Sequence, residues 1–174
     1  MIKSISDYRD YISCDFKANK LNKKSALISI TWKYIWCLRH LELYINTHSI
    51  IRSFVFKLLM KHYSIKTGIT IPINTFGKGV YIPHYGCIVV NGTAKFGDYC
   101  VIQCGVNISE KACGGNHIYF GAGSKVLSCV QIADNVIIGA NAVVTKDIIE
   151  ENTVWGGIPA TKISNNGFLE RENV

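Results

Sequence analysis

His84 is the residue of this sequence best suited to acid–base chemistry. An unperturbed imidazole has a pKa of about 6.5, so it exchanges a proton readily near neutral pH. His84 lies in the segment I-P-H-Y-G-C-I-V-V, where the step from Ile82 to Val90 is eight residues. The chain beyond this segment repeats every six residues, so two residues must bulge outward here. The sequence therefore predicts a general base that projects from a regular repeat.

Cys87, three residues beyond His84, offers a competing route in which a thiolate acts as a covalent nucleophile. A cysteine in such a repeat is more often a small core residue. The chain has seven cysteines, an odd number, and no C-x-x-C pair. This pattern favours reduced thiols, most of them in the core, over a disulfide framework or a zinc site. No metal is expected.

A six-residue register runs through the chain beyond Thr67. Nine apolar residues keep this register, with Gly114 at the one empty position: Val90, Phe96, Ile102, Ile108, Phe120, Val126, Ile132, Ile138 and Val144. Gly often follows the apolar residue directly, and a small or β-branched residue lies four places after the apolar residue. The pattern predicts a parallel β-helix, in which each hexapeptide is a short strand plus a corner and three hexapeptides make one coil. Coils then stack at the strand spacing of about 4.8 Å.

The first third of the chain has a different pattern. From Ser4 to Tyr63 there is no Gly or Pro, and apolar residues recur at helical spacing. We expect two or three helices with breaks at 21–24 and 47–49, and a basic amphipathic helix over 53–61. The predicted fold is mainly β: an α-helical N-terminal region (1–66), a β-helix domain (67–164) and a polar C-terminal tail (165–174).

The net charge of +7 is confined to the helical third. Residues 1–66 contain 12 Lys and Arg against 4 Asp and Glu, whereas the remainder contains 7 against 8. An anionic partner should therefore meet the helices, where Arg52, Lys57 and Lys61 form either a solvated face or a contact with a membrane surface or anionic substrate. No nucleic-acid-binding motif is present, so no nucleic-acid partner is expected. Without a signal sequence or an apolar span, the chain is predicted to be cytoplasmic, with or without peripheral contact at the inner membrane face.

Four segments resemble serine acetyltransferases and related hexapeptide O-acetyltransferases. They are F-G-K-G-V-Y-I-P-H-Y-G-C-I-V-V-N-G-T-A (76–94), F-G-A-G-S-K-V-L (120–127), I-I-G-A-N-A-V-V-T-K-D (137–147) and G-G-I-P-A-T-K-I (156–163). The resemblance implies a left-handed β-helix, a homotrimer, and acetyl-CoA as co-substrate in the groove between neighbouring prisms. It also implies direct transfer, in which His84 takes the proton from an acceptor hydroxyl.

The resemblance also places acetyl-CoA contacts at Ala122, Ala140, Thr145, Lys146 and Lys162. Small side chains would let the pantetheine arm lie close to the coil backbone. The two lysines could pair with phosphates, although a lone surface lysine is as readily a solvated charge.

The sequence departs from the serine-specific members at several places. Those members carry an aspartate about fifteen residues before the histidine, another beside it, and a Gly-Glu-Thr-Ala run after it. Here these places hold Thr70, Pro83 and Asn91-Gly92-Thr93-Ala94. No carboxylate is left to orient the imidazole. The family's long loop after the equivalent of Ile108 is also absent, and Asn91 and His117 become the candidates for acceptor binding.

These departures favour a sugar hydroxyl in polysaccharide biosynthesis as the acceptor. The alternative is a serine O-acetyltransferase of cysteine biosynthesis, with the helices as a shortened form of the family's oligomerising region. A hypothesis of another class is a non-catalytic β-helix scaffold, because the orienting aspartate is missing.

Overall fold

Four helices form the N-terminal region in the computed structural model, which describes residues 1–169. They are α1 (Ile5–Ala18), α2 (Lys23–Ile28), α3 (Ile30–Asn46) and α4 (Ile50–Thr67). The predicted break at 47–49 is confirmed, and the first break lies at 19–22, two residues before its predicted position. The helix count exceeds the expected two or three because Ser29 is extended (φ −61°, ψ 117°) and separates α2 from α3. Its hydroxyl accepts the Trp32 N–H at 3.2 Å, which caps α3. Residues 170–174 of the predicted polar tail lie outside the described residues.

Short strands beyond α4 form three sheets, which are the faces of a prism. Sheet 1 contains β1 (Ile69–Thr70), β2 (Ile88–Val90), β5 (Asn107–Ile108), β8 (Lys125–Val126) and β11 (Val143–Val144). Sheet 2 contains β3 (Lys95–Phe96), β6 (Cys113–Gly114) and β9 (Gln131–Ile132). Sheet 3 contains β4 (Val101–Ile102), β7 (Tyr119–Phe120), β10 (Ile137–Ile138), β12 (Val154–Gly156) and β13 (Thr161–Ser164). All pairs are parallel except β12 with β13.

The strand register confirms the predicted β-helix. Asn107 is level with Lys125, and Val101 is level with Tyr119, so one regular coil is 18 residues long. All nine apolar residues of the register are buried inside the prism. Gly114 is the empty position because a Cβ there would lie 2.9 Å from Cδ1 of Phe96, whose ring already fills that space.

The prism has three corners, each named here after a candidate residue. The His84 corner joins sheet 3 to sheet 1, the Asn91 corner joins sheet 1 to sheet 2, and the His117 corner joins sheet 2 to sheet 3. On the His117 corner, a Cβ at Gly97 would lie 2.8 Å from the carbonyl carbon of Gly115 in the next coil. Consecutive coils are therefore too close for any side chain at this position.

The helices close the open end of the first coil through a buried ionic cluster. Arg39 of α3 pairs with Asp15 of α1 at 2.7 Å and with Glu42 at 2.9 Å, and all three side chains are buried. The Arg39 guanidinium also donates to the carbonyls of Phe76 (3.1 Å) and Gly77 (2.5 Å) on the coil. This cluster joins α1, α3 and the β-helix.

Side chains from the helices bind backbone groups on the outer edge of that coil. Asp15 accepts the Val80 N–H at 2.9 Å, and Glu42 accepts the Asn74 N–H at 2.7 Å. The Tyr34 hydroxyl accepts the Ile71 N–H at 2.8 Å. Strand edges need such partners, because a buried N–H without one is costly. The first third of the chain is thus a structural lid for the β-helix.

The cysteines are less buried than predicted. Burial raises the pKa of the Cys37 thiol to about 11 and that of Cys100 to about 12, so both remain protonated. The prediction that most cysteines lie in the core is wrong, since these are the only buried ones among the seven free thiols. Cys87 and Cys129 lie exposed on corners, and three others are half-buried: Cys14, Cys104 and Cys113.

Within residues 1–169, none of the helices combines the length and the apolar character needed to cross a bilayer.

Candidate functional site

His84 occupies the outward bulge that its sequence position predicts. Tyr81 is level with Val101 and Val89 with Asn107, so this corner is two residues longer than the one below it. Both His84 and Tyr85 are exposed at its tip. Gly86 brings the chain back with a φ of 126°, a conformation that L side chains rarely adopt.

A groove of about 660 Å³ lies between the bulge and the helices. Its walls are Pro83, His84 and Tyr85 on one side and the α2–α3 junction on the other, with the hydroxyl residues Ser25, Ser29 and Thr31. This second wall was not predicted from the sequence, since it depends on how α2 and α3 pack onto the prism. The sequence feature that could have pointed to this wall is the N-cap residue Ser29, which by itself predicts only the start of a helix.

The His84 imidazole makes no hydrogen bond or ion pair with any residue in 1–169. No carboxylate of the described chain therefore orients it, in keeping with the absence of the expected aspartates. The Cys87 thiol also makes no hydrogen bond to His84 in this part of the chain, so the two do not form a paired nucleophile and base.

Ala122 and Ala140 stack below the bulge on the His84 corner. Hydrogen bonds join successive coils along it: Gly105 N–H to Gly86 carbonyl (3.1 Å), Gly123 to Cys104 (2.9 Å) and Asn141 to Ala122 (2.8 Å). The N–H groups of Ala122 and Ala140 make no hydrogen bond with residues 1–169. They leave two backbone donors on the same corner as the imidazole, next to side chains too small to cover them.

The other predicted cofactor residues lie apart from this corner. Thr145 and Lys146 follow β11 on the Asn91 corner and are exposed. Lys162 lies on β13 at the edge of sheet 3, where its ammonium forms an ion pair with Glu150. Lys146 has no such partner among residues 1–169. The two lysines therefore differ in their surroundings, because only Lys162 is already paired with an acid.

The two predicted acceptor-binding residues also lie away from the bulge. Asn91 begins the Asn91 corner, and its side-chain Oδ1 accepts the N–H (3.0 Å) and hydroxyl (2.9 Å) of Thr93, which stabilises the turn. His117 lies on the third corner with a φ of 53°, and its ring stacks on Tyr99 with the centroids 5.2 Å apart. Neither meets His84 within one chain.

A second cavity of about 310 Å³ lies beside His117. Tyr81, Tyr99 and Phe168 give it an aromatic lining, and Lys17 of α1 adds a cation. It was not expected from the sequence, because its residues come from five separate segments.

Sequence relatives match more than half of the chain. The chain is 40% identical to the serine acetyltransferase of Synechococcus elongatus over 119 residues, 63% of this chain and 48% of the relative. It is 36% identical to that of Helicobacter pylori over 112 residues, 59% of this chain and 66% of the relative. The serine acetyltransferase of Staphylococcus aureus is 36% identical over 110 residues, 58% of this chain and 51% of the relative. These similarities support a serine acetyltransferase-like hexapeptide-repeat family. The chain spans between about half and about two thirds of these relatives' length.

Solved structures share the fold of this chain. Serine acetyltransferase from Brucella abortus matches 94% of the chain and 71% of its own, with a TM-score of 0.75 and 20% identity. The soybean enzyme complexed with serine matches 91% and 70%, with a TM-score of 0.75 and 21% identity. A serine acetyltransferase complexed with CoA matches 91% and 71%, with a TM-score of 0.72 and 21% identity. No family model matches the chain.

Proposed function

We propose that this chain is an acetyl-CoA-dependent O-acetyltransferase that transfers acetyl directly to an acceptor hydroxyl. The observation that carries the proposal is the exposed imidazole of His84 at the head of a corner whose alanines leave backbone N–H groups unpaired. A base and anion-stabilising donors on one surface are what acyl transfer to an alcohol requires.

His84 is the general base in the proposed reaction. Its unprotonated ring nitrogen takes the acceptor hydroxyl proton as that oxygen attacks the thioester carbonyl. Backbone N–H groups of the corner stabilise the tetrahedral oxyanion, with Ala122 and Ala140 as the candidate donors. The intermediate collapses by breaking the C–S bond, and the imidazolium returns its proton to the sulfur. CoA leaves as the thiol, and His84 is neutral again.

The acetyl-CoA contacts are proposed from the family resemblance together with the corner geometry. Ala122 and Ala140 give the pantetheine arm a flat path toward His84. Thr145, Lys146 and Lys162 are proposed to contact the remaining part of the cofactor. A structural relative that was solved with CoA supports this choice of co-substrate.

L-serine is the acceptor that the relatives' names favour. The hydroxyl groups of Ser25, Ser29 and Thr31 could hydrogen bond to its ammonium and carboxylate in the groove beside His84. The sugar acceptor expected from the sequence has no support from the relatives and structures named above, which are serine acetyltransferases. The sugar acceptor was suggested by the missing aspartates. Because these aspartates are absent, another group must orient the His84 imidazole.

The proposed assembly is a homotrimer. His84 and His117 lie on different corners of the prism, so they can share a site only if neighbouring copies bring their corners together. Cytoplasmic location and membrane contact of the basic helices also stay proposals.

Release of CoA thiol tests the proposal. Acetyl-CoA is mixed with the full chain and with serine, homoserine or a nucleotide sugar, and free thiol is measured over time. We expect serine to accelerate release and His84→Ala to reduce the rate by roughly 10²- to 10⁴-fold, the usual contribution of a general base. Cys87→Ala and His62→Ala, which changes an exposed histidine of α4, should keep the full rate.

Three outcomes would change the proposal. If no acceptor raises thiol release above hydrolysis, the β-helix is a scaffold. If a nucleotide sugar works and serine does not, the acceptor is a sugar. Loss of activity in Cys87→Ala with retention in His84→Ala would replace direct transfer by an acetyl-thiol intermediate.

A further inference from the structure

Helix α4 is apolar on two opposite sides. Its inner side packs against α3 and the core, through residues such as Phe56 and Met60. Its outer side carries large apolar side chains that the described chain leaves in solvent: Ile51 is 81% exposed, Phe54 63%, Leu58 56% and Ile65 74%. A stripe of this kind is uncommon on a soluble monomer and marks a surface that binds something.

The residue spacing makes the outer side one continuous stripe. Apolar residues at 51, 54, 55, 58 and 65 recur at three- and four-residue intervals, with His62 among them. At about 3.6 residues per turn, Lys57 and Lys61 fall on one flank of this stripe, and Arg52 and Lys66 fall on the other. Helix α4 contains no Asp or Glu. An apolar centre between two cationic flanks is the arrangement of a helix that lies in a membrane interface.

We propose that α4 docks this protein on an anionic lipid bilayer. Apolar side chains of the stripe enter the boundary between headgroups and acyl chains, while the flanking lysines extend their ammonium groups to lipid phosphates. A second copy fits this surface poorly, because two α4 helices face to face would bring eight cations together without an acid from either helix. A bilayer with anionic headgroups covers the apolar centre and neutralises both flanks.

Co-sedimentation with lipid vesicles tests the apolar part. The full chain is mixed with vesicles of phosphatidylcholine and phosphatidylglycerol in equal parts, or of phosphatidylcholine alone. We expect binding to the anionic vesicles, and a loss of roughly tenfold or more in affinity for Ile51→Ser/Leu58→Ser. The matched control Leu127→Ser/Ile149→Ser removes one exposed Leu and one exposed Ile from the β-helix and should bind normally.

Two double variants that remove lysine charges test the electrostatic part of the proposed lipid binding. Lys57→Gln/Lys61→Gln should weaken binding to anionic vesicles roughly tenfold or more, since each cation near the surface contributes. Lys111→Gln/Lys125→Gln, which removes two exposed lysines from the β-helix, should not. The proposal is overturned if the unmodified chain ignores anionic vesicles or binds both kinds equally. It is also overturned if the α4 variants change the mass in light scattering without vesicles, because the stripe is then covered by another copy.

Discussion

At the scale of single residues, the proposed site depends on polar groups that the folded chain leaves unpaired. Corner amides such as those of Gly105, Gly123 and Asn141 bond to the coil beside them. Those of Ala122 and Ala140 do not, within residues 1–169. An unpaired donor can bind a developing oxyanion without first breaking an internal hydrogen bond, so it is already organised for the transition state.

The two candidate phosphate lysines should differ in their effect on cofactor binding. Lys146 has no ion-pair partner among the described residues, whereas Lys162 already pairs with Glu150. We expect Lys146→Ala to raise the KM for acetyl-CoA roughly fivefold to tenfold with little change in kcat, as for a lost charged hydrogen bond. Lys162→Ala should raise it less. Initial rates at varied acetyl-CoA measure both, and equal effects would show that Glu150 releases Lys162 when cofactor binds.

The sequence predicted the catalytic candidate but not its surroundings. His84 could be found because its bulge precedes a six-residue period that the chain keeps from Val90 to Val144. The wall formed by Ser25, Ser29 and Thr31 could not, since its position depends on long-range packing that leaves no periodic trace. Asn91 and His117 were selected because they lie where the sequence departs from the serine-specific family pattern, and both lie on other corners of the prism.

At the scale of elements, the corners decide how closely coils can stack. Gly97→Ala should lower the free energy of unfolding by about 1–3 kcal/mol, because the new methyl group would overlap the backbone of Gly115. Gly92→Ala is the matched control, since its Cβ would lie 3.8 Å from Pro72, an ordinary contact. Urea unfolding compares the two variants. Equal stabilities would mean that the coils separate easily.

The helix packing contains a pH-sensitive residue, His40 of α3. Its ring stacks on Phe56 of α4 at 4.6 Å, its Nδ1–H donates to the Trp36 carbonyl at 2.9 Å, and its Nε2 accepts from the Tyr8 hydroxyl at 3.0 Å. Burial lowers the pKa of His40, so the folded state favours the neutral ring. Burial also raises the pKa of Tyr8 to about 12, which keeps that hydroxyl neutral.

Stability should therefore decrease as the pH falls below about 6.5. In that range the unfolded chain binds a proton at His40 more readily than the folded chain, so the free energy of unfolding decreases until the folded pKa is passed. Unfolding measured from about pH 7.5 to about pH 5 should show a shallower slope for His40→Phe. His62→Phe, on the outer side of α4, is the control and should keep the original slope. An unchanged slope in His40→Phe would assign the pH dependence to another group.

At the scale of the whole molecule, stability depends on the contact between the helical lid and the first coil. Asp15→Asn keeps an oxygen for the Val80 N–H but leaves the buried Arg39 with one carboxylate fewer. Breaking a buried ion pair in this way costs about 3–5 kcal/mol. Asp10→Asn, on the same helix, breaks an exposed ion pair with Lys78 and should have little effect. Chemical denaturation tests this contrast, and equal losses would show that the cluster is open to solvent.

The composition described the lid only as a basic, helical region. The acidic residues of the lid, not its basic ones, show how it is attached. Of four Asp and Glu in residues 1–66, Asp15 and Glu42 are buried against the prism. A hydropathy pattern places such residues on the surface, because burial of a charge is favourable only when a partner is present. That partner, Arg39, becomes visible only in three dimensions.

The two closed ends of the coil stack also limit how copies of this protein can associate. A stack of parallel coils is a template that an identical stack could extend indefinitely, as in a fibril. At the first coil, the backbone groups that an added coil would need already form hydrogen bonds with side chains of the helices, namely Tyr34, Asp15, Arg39 and Glu42. At the far end, β13 runs antiparallel to β12, so it offers no parallel edge on sheet 3. Polymerisation along the prism axis is thereby disfavoured, and productive assembly is directed to the sides, where the corners lie.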